Sequence, residues 1–138
     1  MPAINYAAVA VAGVAGWLVG ALWYGALGKA WMAALGWSEA ECAGPDGKRH
    51  MPPGPMVLAL VGTCIMALML AGLIGHIAVR PQIIAGIVSG ALVWFGFILT
   101  TSAINNAFQK RSTMLTVIDT GHWLAVLVVE GIVIGFFG

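Results

Sequence analysis

Four apolar runs, at residues 4–27, 55–79, 82–108 and 113–137, take up most of this 138-residue chain. Each reaches or exceeds the roughly 20 residues that a helix rising about 1.5 Å per residue needs to cross hydrocarbon. Lipid offers the backbone no hydrogen bonds, so every N–H and C=O must be satisfied within its own segment, and the runs are therefore expected to be helices. A β-barrel would need alternating runs of about 10 residues, whereas these segments are apolar on every face. With 61% hydrophobic and 8% charged residues, a water-soluble domain would lack the polar groups to cover its surface. The expected fold is a single all-α membrane domain over residues 1–138, with four transmembrane helices in an up-down antiparallel bundle and membrane lipid as its first partner.

The polar stretch at 28–54 separates the first two runs. It contains the turn-forming Pro45-Asp46-Gly47 and the Pro52-Pro53-Gly54-Pro55 cluster, which ends one helix and begins the next. Ser38-Glu39-Ala40-Glu41 has capping-box spacing with Trp31 and Trp37 nearby, so a short interfacial helix is expected there. The connections around Arg80-Pro81 and Lys110-Arg111 are short enough to make successive helices neighbours. Met1 to Tyr6 carries no basic side chain, so the first run is expected to remain in the mature protein rather than serve as a signal peptide.

Lys29, Lys48, Arg49, Lys110 and Arg111 fall on one side of the membrane and Arg80 on the other. The positive-inside rule then orients the chain in a cell inner membrane with both termini outside the cytoplasm. A net charge of +1 supplies no basic field for nucleic acid. Cys42 and Cys64 should sit at different depths and stay as free thiols, and no Cys/His spacing announces a metal site. No cofactor is implied.

Small residues recur at spacings of four: Ala8, Ala12, Gly16 and Gly20; Thr63, Ala67, Ala71 and Gly75; Gly86 and Gly90; Gly131 and Gly135. Such stripes let helix backbones approach closely. They serve packing within the chain or, if one stripe is left free, a homo-oligomer.

The most informative residues are the carboxylates inside the fourth run, because a charge near mid-membrane costs at least about 2.5 to 3.5 kcal/mol on insertion scales. Asp119, His122, Val126 and Glu130 are three, four and four residues apart. Eleven residues turn a helix by only about 20° beyond three full turns, so both carboxylates share one face, expected to point into the bundle. Counting depth along each helix separates two levels. A candidate binding pocket in the cytoplasmic half gathers Asp119, His122, Asn105, Asn106, Thr101, Tyr24 and Trp17, with Thr101 and Asn105 expected to satisfy Asp119 across a helix interface. Glu130 and His76 are expected as an outer polar pair. His76 and His122 are too far apart in depth, by about 15 Å at helical rise, to serve one haem iron.

No nucleophile elbow, phosphate-binding glycine loop or zinc-protease motif occurs, which argues against an enzyme. An intramembrane polar pocket without catalytic machinery points to a binding, accessory or scaffolding role for an unspecified small molecule. The alternative is a proton-coupled exporter of the small multidrug resistance size class. Those transporters resemble one another in placing a key Glu in the first helix, where this chain has none. A membrane enzyme using Asp119 and His122 as an acid/base pair ranks third.

The stretches Gly20-Ala-Leu-Trp-Tyr-Gly, Gly28-Lys-Ala-Trp-Met, Trp94-Phe-Gly-Phe, Asn105-Asn-Ala-Phe and Ile118-Asp-Thr-Gly-His-Trp-Leu carry a family resemblance. Together they resemble the domain of unknown function 1761 family of small bacterial membrane proteins, over nearly the whole chain. The resemblance implies four membrane helices and names no activity. It marks Trp23, Tyr24, Lys29, Trp31, Asn105, Phe108 and Gly121 as candidates for a functional or packing-critical surface.

Overall fold

A computed structural model describes residues 4–48, 52–77 and 81–137. The described residues are helical or irregular, with no strand, and four helices are long and apolar enough to cross a membrane: Tyr6–Leu35, Pro53–His76, Gln82–Phe108 and Thr113–Phe137. Arg49 and Arg80, which enter the charge asymmetry, lie outside the described residues, as do Ala78 and Val79 at the end of the expected second run.

Helix α1 (Tyr6–Leu35) starts where the Asn5 side chain accepts the Ala8 N–H, at 3.1 Å. It runs eight residues past the expected stop at Leu27. Nothing between Gly28 and Leu35 breaks a helix, and the chain turns only at Gly36, whose φ of 77° suits a residue without Cβ. The interfacial helix expected in the first loop is not formed, because Trp31 belongs to α1 and residues 37–48 make turns. The Ser38–Glu41 hydrogen bonds do form, with the Ser38 N–H and hydroxyl donating to Glu41 Oε2 at 2.7 and 2.8 Å. Gly44, Pro45 and Gly47 follow too soon for a helix to propagate.

Helix α2 (Pro53–His76) opens on prolines, whose missing N–H is no loss in a first turn. The third span is not uniform. Regular helix α3 (Gln82–Val93) widens into a π-helical stretch at Trp94–Leu99 before α4 (Thr100–Phe108) resumes. Within it the Thr100 hydroxyl donates to Gly96 O at 2.8 Å and the Thr101 hydroxyl to Phe97 O, while the Trp94 indole donates to Thr120 O of the next helix at 2.7 Å. Hydroxyl back-bonding of this kind bends and loosens a helical ladder.

Helix α5 (Thr113–Phe137) is the hub, with ten buried positions against seven in α1, four each in α2 and α3, and none in α4. Glycines set the approach. A Cβ built on Gly86 would lie 2.6 Å from the Gly131 carbonyl carbon, and one on Gly90 2.7 Å from Leu127 O, so α3 and α5 touch backbone to backbone. Gly135 meets Gln82 and Ile83 in the same way. Gly13 packs on Cys64 of α2, and Gly16 and Gly20 pack on Glu130 and His122 of α5. Contacts run in opposite senses along α1 and α5: Asn5 reaches Phe137, Gly16 meets Glu130, Trp31 meets Asp119, and Ser112 bonds Ala34 O. The outward faces are apolar; Leu58, Met69, Phe95 and Phe97 are all exposed, as lipid contact requires.

Candidate binding site at the α1–α5 interface

The site is built from two helix faces. On α5, Asp119 begins the line that continues through His122, Val126 and Glu130. On α1, Tyr24 and Trp31 are seven residues apart and so project from one side two turns apart. Tyr24 donates its hydroxyl proton to Asp119 Oδ1 at 2.7 Å, and the Trp31 indole N–H donates to the same oxygen at 2.9 Å. Oδ2 has no hydrogen-bond partner among the described residues, and Asp119 is half-buried. Rings wall the carboxylate: Tyr24 meets Trp31 edge-on at 5.6 Å, His122 lies 5.0 Å from Tyr24, and Trp37 stands edge-on to Trp31 at 5.9 Å.

Around this centre, further indole bonds tie the helices together. Trp23 donates to Ile118 O at 3.1 Å and lays its ring on Gly121, which has no side chain to obstruct it. Trp94 holds Thr120 from the third span. Each of these bonds satisfies an N–H that lipid could not, and interhelical hydrogen bonds in membranes contribute about 0.6 kcal/mol on average.

Of the expected pocket residues, the structure gathers Asp119, His122 and Tyr24. Asn106 comes close, its amide donating to Thr116 Oγ1 at 2.9 Å, one turn before Thr120. Thr101 and Asn105 do not join. Both are exposed on α4, and the Thr101 hydroxyl is occupied by its own helix at Phe97 O. Trp17 turns the other way, donating to Met56 O of α2 at 3.2 Å. The expected pairing of Glu130 with His76 is absent: His76 is exposed at the end of α2 with Nδ1 2.7 Å from Gly72 O, and Glu130 is fully enclosed without a partner. Glu130 lies beside Gly16, whose neighbour Gly13 packs on Cys64, twelve residues or about 18 Å of helix away from His76. Trp31, a candidate through the family resemblance but not among the expected pocket residues, stands at the centre. The signal for its place there is the seven-residue spacing from Tyr24, which puts both on one face only because α1 continues past Leu27.

With this geometry in hand, the family model for proteins of unknown function, DUF1761, matches residues 7–135. The chain belongs to the DUF1761 family. Nothing among curated proteins or solved structures matches it.

Chemically, the DUF1761 cluster offers a carboxylate with one oxygen that has no hydrogen-bond partner among the described residues, three neighbouring rings, and no Lys or Arg ion pair among those residues. Among the described residues the ion pair is elsewhere, between Lys29 and Glu39 at 3.3 Å, both exposed. No group of three or more His, Cys, Asp or Glu side chains is placed to hold a metal ion among the described residues. An open cleft of about 270 Å³ lies one flank away, between Gly25, Lys29 and Met32 of α1 and Glu39 and Cys42 of the loop. Outside the spans, Glu41 is held below the usual glutamate range by the Ser38 backbone N–H and, secondly, the Ser38 hydroxyl.

Proposed function

We propose that this protein is a small non-catalytic membrane binding protein, and that the Asp119 cluster takes up the amine or quaternary ammonium group of an amphiphile. One observation carries the reading: Tyr24 and Trp31 both donate to one oxygen of Asp119, which lies among aromatic side chains, while its other oxygen has no hydrogen-bond partner and the carboxylate no Lys or Arg ion pair among the described residues. Ring faces and a carboxylate together attract a cation, by about 0.5 to 2 kcal/mol per ring as desolvation increases. The apolar tail of an amphiphile would lie along the outward helix faces.

The orientation that goes with this reading puts the Lys29, Lys48, Lys110 and Arg111 end at the cytoplasmic face of a bacterial inner membrane, with the cluster in the cytoplasmic half. The Ser112–Ala34 hydrogen bond supports grouping those loops at one end of the bundle. A small proton-coupled transporter is the second reading. Glu130, a carboxyl group enclosed in the bundle, favours it; the absence of any carboxylate in α1 counts against likeness to the small multidrug resistance pattern.

The test is a fluorescence titration of the purified protein in lipid nanodiscs with octyltrimethylammonium, alongside octylsulfonate of matched tail. Saturable quenching by the cation alone is the expected outcome. An equal response to both amphiphiles would reduce the effect to tail partitioning and refute the reading.

A further inference from the structure

Glu130 takes no part in the Asp119 cluster, yet it is the most completely enclosed ionisable side chain in the described structure. Its relative exposure is 0%, and neither Oε1 nor Oε2 has a hydrogen-bond partner. The space it fills is made by Gly16 of α1: a Cβ there would lie 2.7 Å from Oε1 and 3.0 Å from Val126 Cγ1. The buried core of the bundle is mostly apolar, with Val9, Ala12, Ala67, Leu70 and Leu127, and its buried hydroxyls do not bond Glu130: Thr63 donates to Leu60 O, and Ser89 has no partner among the described residues.

An ionised carboxylate so placed would have neither donor nor counter-charge. Even after relaxation, a charge taken from water into such a site costs several kcal/mol. Something must complete it. A metal cation would need about six oxygen ligands or a similar set, and no suitable cluster is present among the described residues. The titratable groups on the helices packed against Glu130 are also accounted for. On α5 these are Asp119, bonded to Tyr24 and Trp31, and His122; on α1, Tyr6, exposed at the helix start, Tyr24, and Lys29, paired with Glu39; on α2, Cys64, packed on Gly13, and His76, directed at Gly72 O; α3 has none. None of them hydrogen-bonds the carboxyl.

We infer that Glu130 is an intramembrane proton-binding site, held as the neutral acid by the closed α1–α5 seam. Proton release requires water to enter along Gly16 and Gly20, where no side chain bars α1 from moving off α5. Binding adds one proton to one carboxylate oxygen and removes one negative charge from the bundle. His122, two turns along the same face with its Nδ1 also buried and unpartnered, is the next proton acceptor towards the Asp119 end. This inference stands apart from amine binding, since it uses neither Asp119 nor its rings.

Infrared spectroscopy of the intact protein in bilayers, at about pH 7, tests it. The chain has three glutamates, and Glu39 and Glu41 are exposed in the loop. Uniform ¹³C-glutamate labelling therefore assigns any carboxylic-acid C=O band to Glu130 without a mutation. The inference expects such a band, shifted down by the label and lost in Glu130→Gln. Absence of a label-sensitive acid band in folded wild type overturns it, as does survival of that band in E130Q. If E130Q fails to fold, the labelled wild-type spectrum decides alone.

Discussion

Replacing Gly86 by Ala should force α3 off α5, and the structure sets the size of the effect. The new Cβ would sit 2.6 Å from the Gly131 carbonyl carbon and 3.0 Å from its Cα, with the carbonyl oxygen closer still. Ordinary contact begins at 3.4 Å, so the carbon contact alone is short by about 0.8 Å. The obstacle is backbone on a buried helix, which cannot rotate aside as a side chain does. The helices must separate, weakening the flanking approaches of Gly135 to Gln82 and Gly90 to Leu127 and lengthening the Trp94–Thr120 bond. Overpacking of this kind costs about 1 to 3 kcal/mol. Alanine's better helix propensity returns about 1 kcal/mol, leaving a net loss of about 0 to 2 kcal/mol, or about 1 to 3 kcal/mol relative to an alanine placed where there is room. Gly62→Ala is the control, because a Cβ there meets nothing within 4 Å. It should be neutral or stabilise by up to about 1 kcal/mol. Unfolding by sodium dodecyl sulfate in mixed micelles, followed by circular dichroism, compares the two variants. If G86A is as stable as G62A, the backbone contact between α3 and α5 is not made and the reasoning fails.

Two further outcomes are expected. Reporter fusions after Lys48 and Lys110 should both behave as cytoplasmic; alkaline phosphatase activity at both positions would invert the orientation and the depth of the Asp119 cluster. Glu41 should titrate below an ordinary glutamate, and Ser38→Ala, which removes one of the two donors, should move it part of the way back. Because the folded value is depressed, the loop contribution is present above the unfolded glutamate value and fades as pH falls through the folded one. NMR titration of the Glu41 side chain measures this, and an unchanged midpoint in S38A would remove the Ser38 hydroxyl as a cause and leave the depression to the backbone N–H alone.

Features that depend on one helix alone were legible in the sequence. Length and apolarity identify four spans, and the three-four-four spacing puts Asp119, His122 and Glu130 on one face of α5, where Gly16, Gly20 and Tyr24 of α1 meet them. Features that depend on how far one helix slides along another were not. Glu130 and His76 looked level when depth was counted from helix ends, but the packing of Gly13 on Cys64 shifts α2 so that His76 lies beyond the core. Thr101 and Asn105 have the right spacing to face a neighbour, yet the widened turn at Trp94–Leu99 precedes α4, which buries no side chain. Trp31 was displaced by a helix end set at the first charged residue. Lys29 at an interface does not stop a helix, since its long side chain reaches outward to water, as its exposure shows.

The central claim is that Asp119 is a binding group and not only a brace between α1 and α5. Asp119→Asn keeps the shape of the side chain and leaves an oxygen that can accept from Tyr24 and Trp31, so a bracing role survives the change. The charge that would hold an ammonium group does not. Wild type and D119N are therefore to be compared for melting temperature in detergent and for octyltrimethylammonium affinity in nanodiscs. The account predicts a melting temperature close to wild type together with at least a tenfold loss of affinity, which corresponds to about 1.4 kcal/mol. Undiminished affinity in a folded D119N protein would contradict it, and a fall in melting temperature with affinity intact would assign Asp119 to bracing alone.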